Sequence, residues 1–232
     1  VFFMALDVGE YEIAGEKNRQ YLLVHTSHDG SSALRVQQVS VRVVCSNTLA
    51  MASESASTDF SLRHTGDVQK QAEWHVKAIA SLRTSLQETQ EEQQIMAAVK
   101  TDDAMVSSII NAAYPMPIKP KGIGNLTKLA SADVIDKSTT EALMRSAKSK
   151  QHQYEIALKR AEALRLTTGE VFINMYKATN IGGTVWGAVN AVTETSNWRE
   201  GPNADSSVMF GVRRDEGNRA YEQARKIVGV AT

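Results

Sequence analysis

Two short stretches gather the side chains best suited to chemistry: Ser27-His28-Asp29-Gly30-Ser31-Ser32 and, ten residues on, Arg42-Val43-Val44-Cys45-Ser46-Asn47-Thr48. Hydroxyls, an arginine fork and the amides of a capped helix start are what a phosphate oxygen needs. On that reading His28, Asp29 and Ser31 at a hairpin tip converge with Arg42 and Asn47 on one anion, either a nucleotide or the backbone of a DNA strand. A structural reading accounts for the same residues. Asp29-Gly30 suits a tight turn, Asn47 caps a short helix, and Arg42 satisfies carbonyls. A third reading makes Cys45 a thiol nucleophile with His28 or His64 as its base, in an enzyme using the His28, Asp29, Arg42, Cys45 and Asn47 cluster on a nucleotide or phosphodiester. Against it, a lone cysteine ending a valine-rich strand is usually a small buried hydrophobe. His25 and His28, three apart on an expected strand, face opposite sides, so no metal site follows. Gly122-Ile123-Gly124 and Gly182-Gly183 lack the residues that complete a phosphate-cradling loop, and no cofactor is implied.

A second candidate is electrostatic. Between Lys119 and Arg165 ten basic residues face five acidic ones. Lys119 and Lys121 lie in the proline-rich segment; Arg145, Lys148 and His152 are spaced to share one helical face, with Lys150, Lys159 and Arg160 extending the basic surface. Tyr114 and Tyr154 lie in the same region and could stack on bases. Such a surface suits a nucleic-acid backbone, although a solvated helix face has the same composition. The acidic stretch from Glu88 to Asp103 could complement it, within one chain or between subunits.

These residues need elements to hold them. Residues 1–65 read as mainly β. Phe2 to Asp7 and Glu10 to Ala14 flank Gly9 in a hairpin-like pattern, Tyr21 to Ser27 is β-rich, Ser32 to Val36 returns, and Val39 to Val44 and Phe60 to His64 follow. Residues 66–232 read as mainly α. One long helix begins near Asp67 and runs to about 99; its apolar stripe lapses through Gln87 to Gln94, as if its middle projected into solvent. Thr101-Asp102-Asp103 restarts a short helix. Three of the four prolines fall in a loop at 114–124. Ser138-x-x-Glu141 is a capping box for a second long helix, 138–166, with Leu143, Ala147, Gln151, Tyr154, Leu158 and Ala161 as its stripe. Thr184 opens another helix, and a last one runs from about Asp215 to Val228.

The 232 residues, 42% hydrophobic and 22% charged, fit a single globular α+β domain: an antiparallel sheet, long helices packed on it and a helical C-terminal half. Lys+Arg and Asp+Glu number 26 each, so the chain as a whole does not attract a polyanion and any binding is local. One cysteine excludes an intrachain disulfide framework and fits a reducing cytoplasm. No stretch reaches the roughly 20 apolar residues of a membrane span. The chain starts at Val1 inside an apolar run, which suggests that an N-terminal segment precedes it.

The span from Tyr21 to Leu49, with Ser-His-Asp-Gly-Ser-Ser and then Arg-Val-Val-Cys-x-Asn-Thr-Leu, closely resembles the phage- and plasmid-encoded family catalogued as domain of unknown function 932. Arg63-His64-Thr65 and Gly183-Thr184-Val185-Trp186-Gly187-Ala188-Val189-Asn190-Ala191-Val192-Thr193-Glu194 are similar to two further signatures of it. Where the family often carries a tyrosine and then Asp-His, this chain has Thr195-Ser196-Asn197-Trp198. The resemblance implies a mobile-element setting in a bacterial host and a replication or recombination accessory, with no assigned activity. A sheet leading into a long helix is also similar, at fold level, to single-strand annealing proteins, which assemble side by side and hold one DNA strand by its backbone. The expectation is therefore a non-catalytic, homo-oligomeric binder of single-stranded DNA, gripping phosphates through Arg42, Lys148, Lys150 and Arg160 with the His28–Ser31 tip near the strand.

Overall fold

Ala14 and Gly15, at φ 50° and 81°, form the turn that starts the sheet. Two consecutive positive φ values match the right-handed twist of the strands that leave the turn, and Gly15 adopts one without steric cost. The strands are β1 (Phe2–Ile13) and β2 (Glu16–Thr26), antiparallel from Ile13↔Glu16 to Phe2↔Thr26. The turn expected at Gly9 is absent; β1 runs through it, with a register shift between Asp7 and Gly9 and the Gly9 N–H donating to Asp7 Oδ1. Such a bulge adds one residue to a strand without ending it. Strand β3 (Leu34–Arg42) pairs with β2, and β4 (Phe60–Leu62) pairs with β3, giving the order β1-β2-β3-β4.

The computed structural model describes residues 2–26, 34–42, 60–62, 84, 87–120, 136–197, 199 and 212–230. Among these, five helices follow the sheet: α1 (87–98), α2 (Asp103–Ala113), α3 (Lys137–Ala178), α4 (Val185–Asn197) and α5 (Val212–Val228). The fold class is α+β. Two compact units are distinguishable: Val1–Ala113 with Thr168–Thr232, and Tyr114–Thr167.

In the first unit α2, α4 and α5 pack on one another. Helix α4 is the core: Val185, Val189 and Val192 are fully buried, and Ile109 of α2 and Ala220 and Ala224 of α5 are buried with them. Its polar residues are made compatible with burial by bonding back along the helix. Asn190 donates to Trp186 O, Thr193 to Val189 O and Thr195 to Ala191 O. Helix α2 is closed at both ends, by Asp102 Oδ1 accepting from Met105 N–H and by the Arg219 guanidinium donating to Ala112 O and Ala113 O.

Helix α1 corrects the solvent-projecting middle expected of the first long helix. Thr89, Gln93 and Met96, spaced four and three apart, are its buried face, while Ile95 is exposed. Gln93 is tolerated inside because Tyr11 Oη donates to its Oε1 at 2.6 Å. In the second unit, the described residues of the proline-rich segment, Tyr114 to Pro120, form neither helix nor strand. There Arg165 Nε donates to Tyr114 O.

Candidate nucleic-acid interface

Helix α3 carries the basic residues, and Asp136 sets where it starts. Its carboxylate accepts from Thr139 N–H and from the Ser138 and Thr139 hydroxyls. The cap is therefore Asp136, two residues earlier than the Ser138–Glu141 box would place it. These hydrogen bonds, led by the Thr139 hydroxyl, hold the Asp136 carboxyl far below the usual carboxylate range.

From that start the helix runs 42 residues, twelve past the expected end. Ala147 and Ala161 are buried and Gln151, Tyr154 and Leu158 half-buried, so one stripe faces protein; Leu143, expected on it, is exposed. At about 100° per residue, Arg145, Lys148, His152 and Lys159 fall within an arc of about 60° on the other side, spanning about 21 Å along the axis. All four are exposed, and among the described residues none forms an ion pair. Arg160 is also exposed, about 60° to one side of Arg145, whereas Lys150, about 140° round, does not share this face. Lys119 is exposed in the proline-rich segment; Lys121 lies outside the described residues. Neither tyrosine can serve as the expected stacking platform, because Tyr154 sits on the protein-facing stripe and Tyr114 is 3% exposed.

The first cluster fares differently. His28, Asp29, Ser31, Cys45 and Asn47 lie outside the described residues. Arg42 lies within them, paired with Asn18 beside the Ala14–Gly15 turn. It stands eight residues along β3 from Leu34, about 26 Å at strand rise. Of the expected anion site the described residues hold only Arg42, at the end of the β2–β3 ladder nearest the Ala14–Gly15 turn.

Sequence reasoning missed a polar network in the first unit. Tyr221 Oη donates to Glu92 Oε2 at 2.9 Å, and Arg225 Nη2 lies 3.2 Å from Glu92 Oε1. The Trp186 ring meets Tyr221 edge-on, with centroids 6.3 Å apart and planes at 84°. Burial first, and the Glu92 carboxylate second, push the Tyr221 phenol far above its usual range, so it stays a hydrogen-bond donor. Glu92 belongs to the acidic stretch offered as a complement to the basic patch; it is engaged here instead. Nearby, Glu216 is 3% exposed, accepting from Ser196 Oγ and from the Arg199 guanidinium. Partners 17 to 133 residues apart leave no local sequence signal.

The Gly183–Glu194 motif also resolves into structure. Thr184 Oγ1 accepts from Gly187 N–H at 3.1 Å and donates to Ile181 O at 2.6 Å, capping α4. A Cβ on Gly182 would strike the Tyr176 backbone, and one on Gly187 would strike Ile181 O. Val185 N–H donates to Val99 O and Thr101 N–H to Gly183 O, tying this corner to the strip between α1 and α2. The family model described as Domain of unknown function (DUF932) matches residues 1–228, nearly the entire length. The chain belongs to the DUF932 family. No curated protein and no solved structure matches the DUF932 chain. Among its described residues no helix is long and apolar enough to cross a membrane, and no group of three His, Cys, Asp or Glu side chains could hold a metal ion.

Proposed function

We propose that this protein binds a nucleic-acid strand, single-stranded DNA in the first instance, through the exposed basic face of α3, making and breaking no bond. One observation carries the reading: Arg145, Lys148, His152 and Lys159 share an exposed face, without a carboxylate partner among the described residues. Desolvated partners would cancel such charges; solvent-facing ones remain available to phosphate. With Tyr114 and Tyr154 turned away, the grip is on the backbone and indifferent to sequence. Bases left uncovered can still pair with a complement, which is what strand annealing in phage or plasmid recombination requires.

The test is fluorescence anisotropy with a labelled single-stranded oligonucleotide at low salt. The wild-type chain binds, and Arg145→Glu combined with Lys148→Glu weakens binding by about tenfold or more, since two phosphate contacts become repulsions. Lys150→Glu, off the face, has a smaller effect. No binding at low salt, or equal affinity for the double variant, defeats the proposal.

A further inference from the structure

The same long helix carries a second pattern, of which strand binding uses only Lys159. Ile156, Leu166 and Ile173 are 55%, 68% and 56% exposed. Together with Lys159, Ala163 and Glu170, also exposed, they recur at alternating spacings of three and four. That is the repeat of a coiled-coil seam, and it stays within an arc of about 100° over 18 residues of continuous helix. Three large apolar side chains on one solvent-facing seam call for a partner.

The seam is complementary to itself when reversed. In an antiparallel pair related by a two-fold axis near residues 164 and 165, each layer joins two positions whose numbers have the same sum. Ile156 then meets Ile173 of the second copy, Lys159 meets its Glu170, and small Ala163 meets its large Leu166. Every layer is matched in polarity, charge or size, and the symmetry repeats each match on the other side. A parallel pair in register would instead set lysine against lysine and glutamate against glutamate. Within one chain Lys159 and Glu170 are 11 residues apart, about 16 Å along the helix, too far to pair.

We infer that α3 is a self-association surface on which a second copy of this chain docks antiparallel through residues 156–173, the Lys159–Glu170 pairs fixing direction and register. This stands independently of the nucleic-acid reading. Arg145, Lys148 and His152 lie beyond the paired seam, while Lys159 is shared between the two roles.

Sedimentation velocity on the full chain without nucleic acid is the test. The wild-type chain dimerises reversibly in the micromolar range. Lys159→Glu and Glu170→Lys each weaken the dimer about tenfold or more, because each sets like charges together twice. The combined Lys159→Glu/Glu170→Lys chain regains wild-type dimerisation, and Lys148→Glu leaves it unchanged. Both positions are exposed, and circular dichroism confirms that each variant is folded. A monomer at all concentrations overturns the inference, as does a dimer indifferent to the single reversals or one that the double reversal does not restore. Loss of strand binding with dimerisation intact would count only against the function proposed above.

Discussion

At the residue scale, Thr184 and Gly187 carry opposite halves of one joint. Thr184 supplies the side-chain oxygen that accepts from Gly187 N–H, so α4 enters the core with that amide satisfied. Thr184→Ala leaves it unpaired where there is no water, and should cost about 1–2 kcal/mol in urea unfolding, while Thr184→Ser retains most of the stability. Gly187→Ala sets two effects against each other. Alanine gains about 1 kcal/mol of helix propensity, but its Cβ meets the Ile181 carbonyl of a rigid turn, and backbone overpacking costs up to about 3 kcal/mol. The collision wins, and Gly187→Ala should lower the urea midpoint despite standing in a helix. The same joint accounts for much of the longest recognisable motif of the sequence: Gly187, Thr184, Thr193 and Asn190 are engaged in close approach and buried hydrogen bonds.

At the element scale, Asp136 governs the start of α3 and with it the phase of the basic face. Its carboxyl is held well below the usual carboxylate range in the folded chain. A depressed folded value means that the cap's contribution is complete above about pH 4 and drains away as pH falls from there toward the folded value. Amide exchange should therefore show Thr139 and Thr140 losing protection below about pH 4, while amides in the middle of α3 keep theirs. Asp136→Asn keeps an acceptor oxygen and should abolish that pH dependence; Asp136→Ala should fray the first turn at every pH. Much of this element was legible in advance, since the shared face of Arg145, Lys148 and His152 follows from spacing alone. What was not legible has physical causes. Ala14 is a poor advertisement for a positive-φ turn, so Gly9, a bulge, drew the hairpin in its place. Thr89 and Gln93 are polar, so the buried face of α1 read as solvated until Tyr11 was seen donating to Gln93 from 82 positions away. The expected convergence of Arg42 with the His28 segment falls on residues outside those described.

At the scale of the whole molecule, equal numbers of acids and bases make the long-range field weak, and at about 0.15 M salt the screening length is only about 8 Å. A strand is then felt only near the α3 face, and its affinity is set by the few cations there. For single strands the logarithm of the binding constant falls with the logarithm of salt at about 0.7 per phosphate neutralised. One chain offering Arg145, Lys148 and Lys159 gives a slope of about −2. If α3 pairs with a second copy, each Lys159 turns to Glu170 of its neighbour, and two copies present four cations from Arg145 and Lys148, for a slope of about −3. Raising salt fourfold should accordingly weaken binding about twentyfold for the single chain and about fiftyfold for the pair. Anisotropy titrations across that salt range, on the wild-type chain and on Lys159→Glu, separate the two, because the variant pairs more weakly and keeps only Arg145 and Lys148. A slope near zero in both would mean that the basic face is ordinary solvated surface, whatever its oligomeric state.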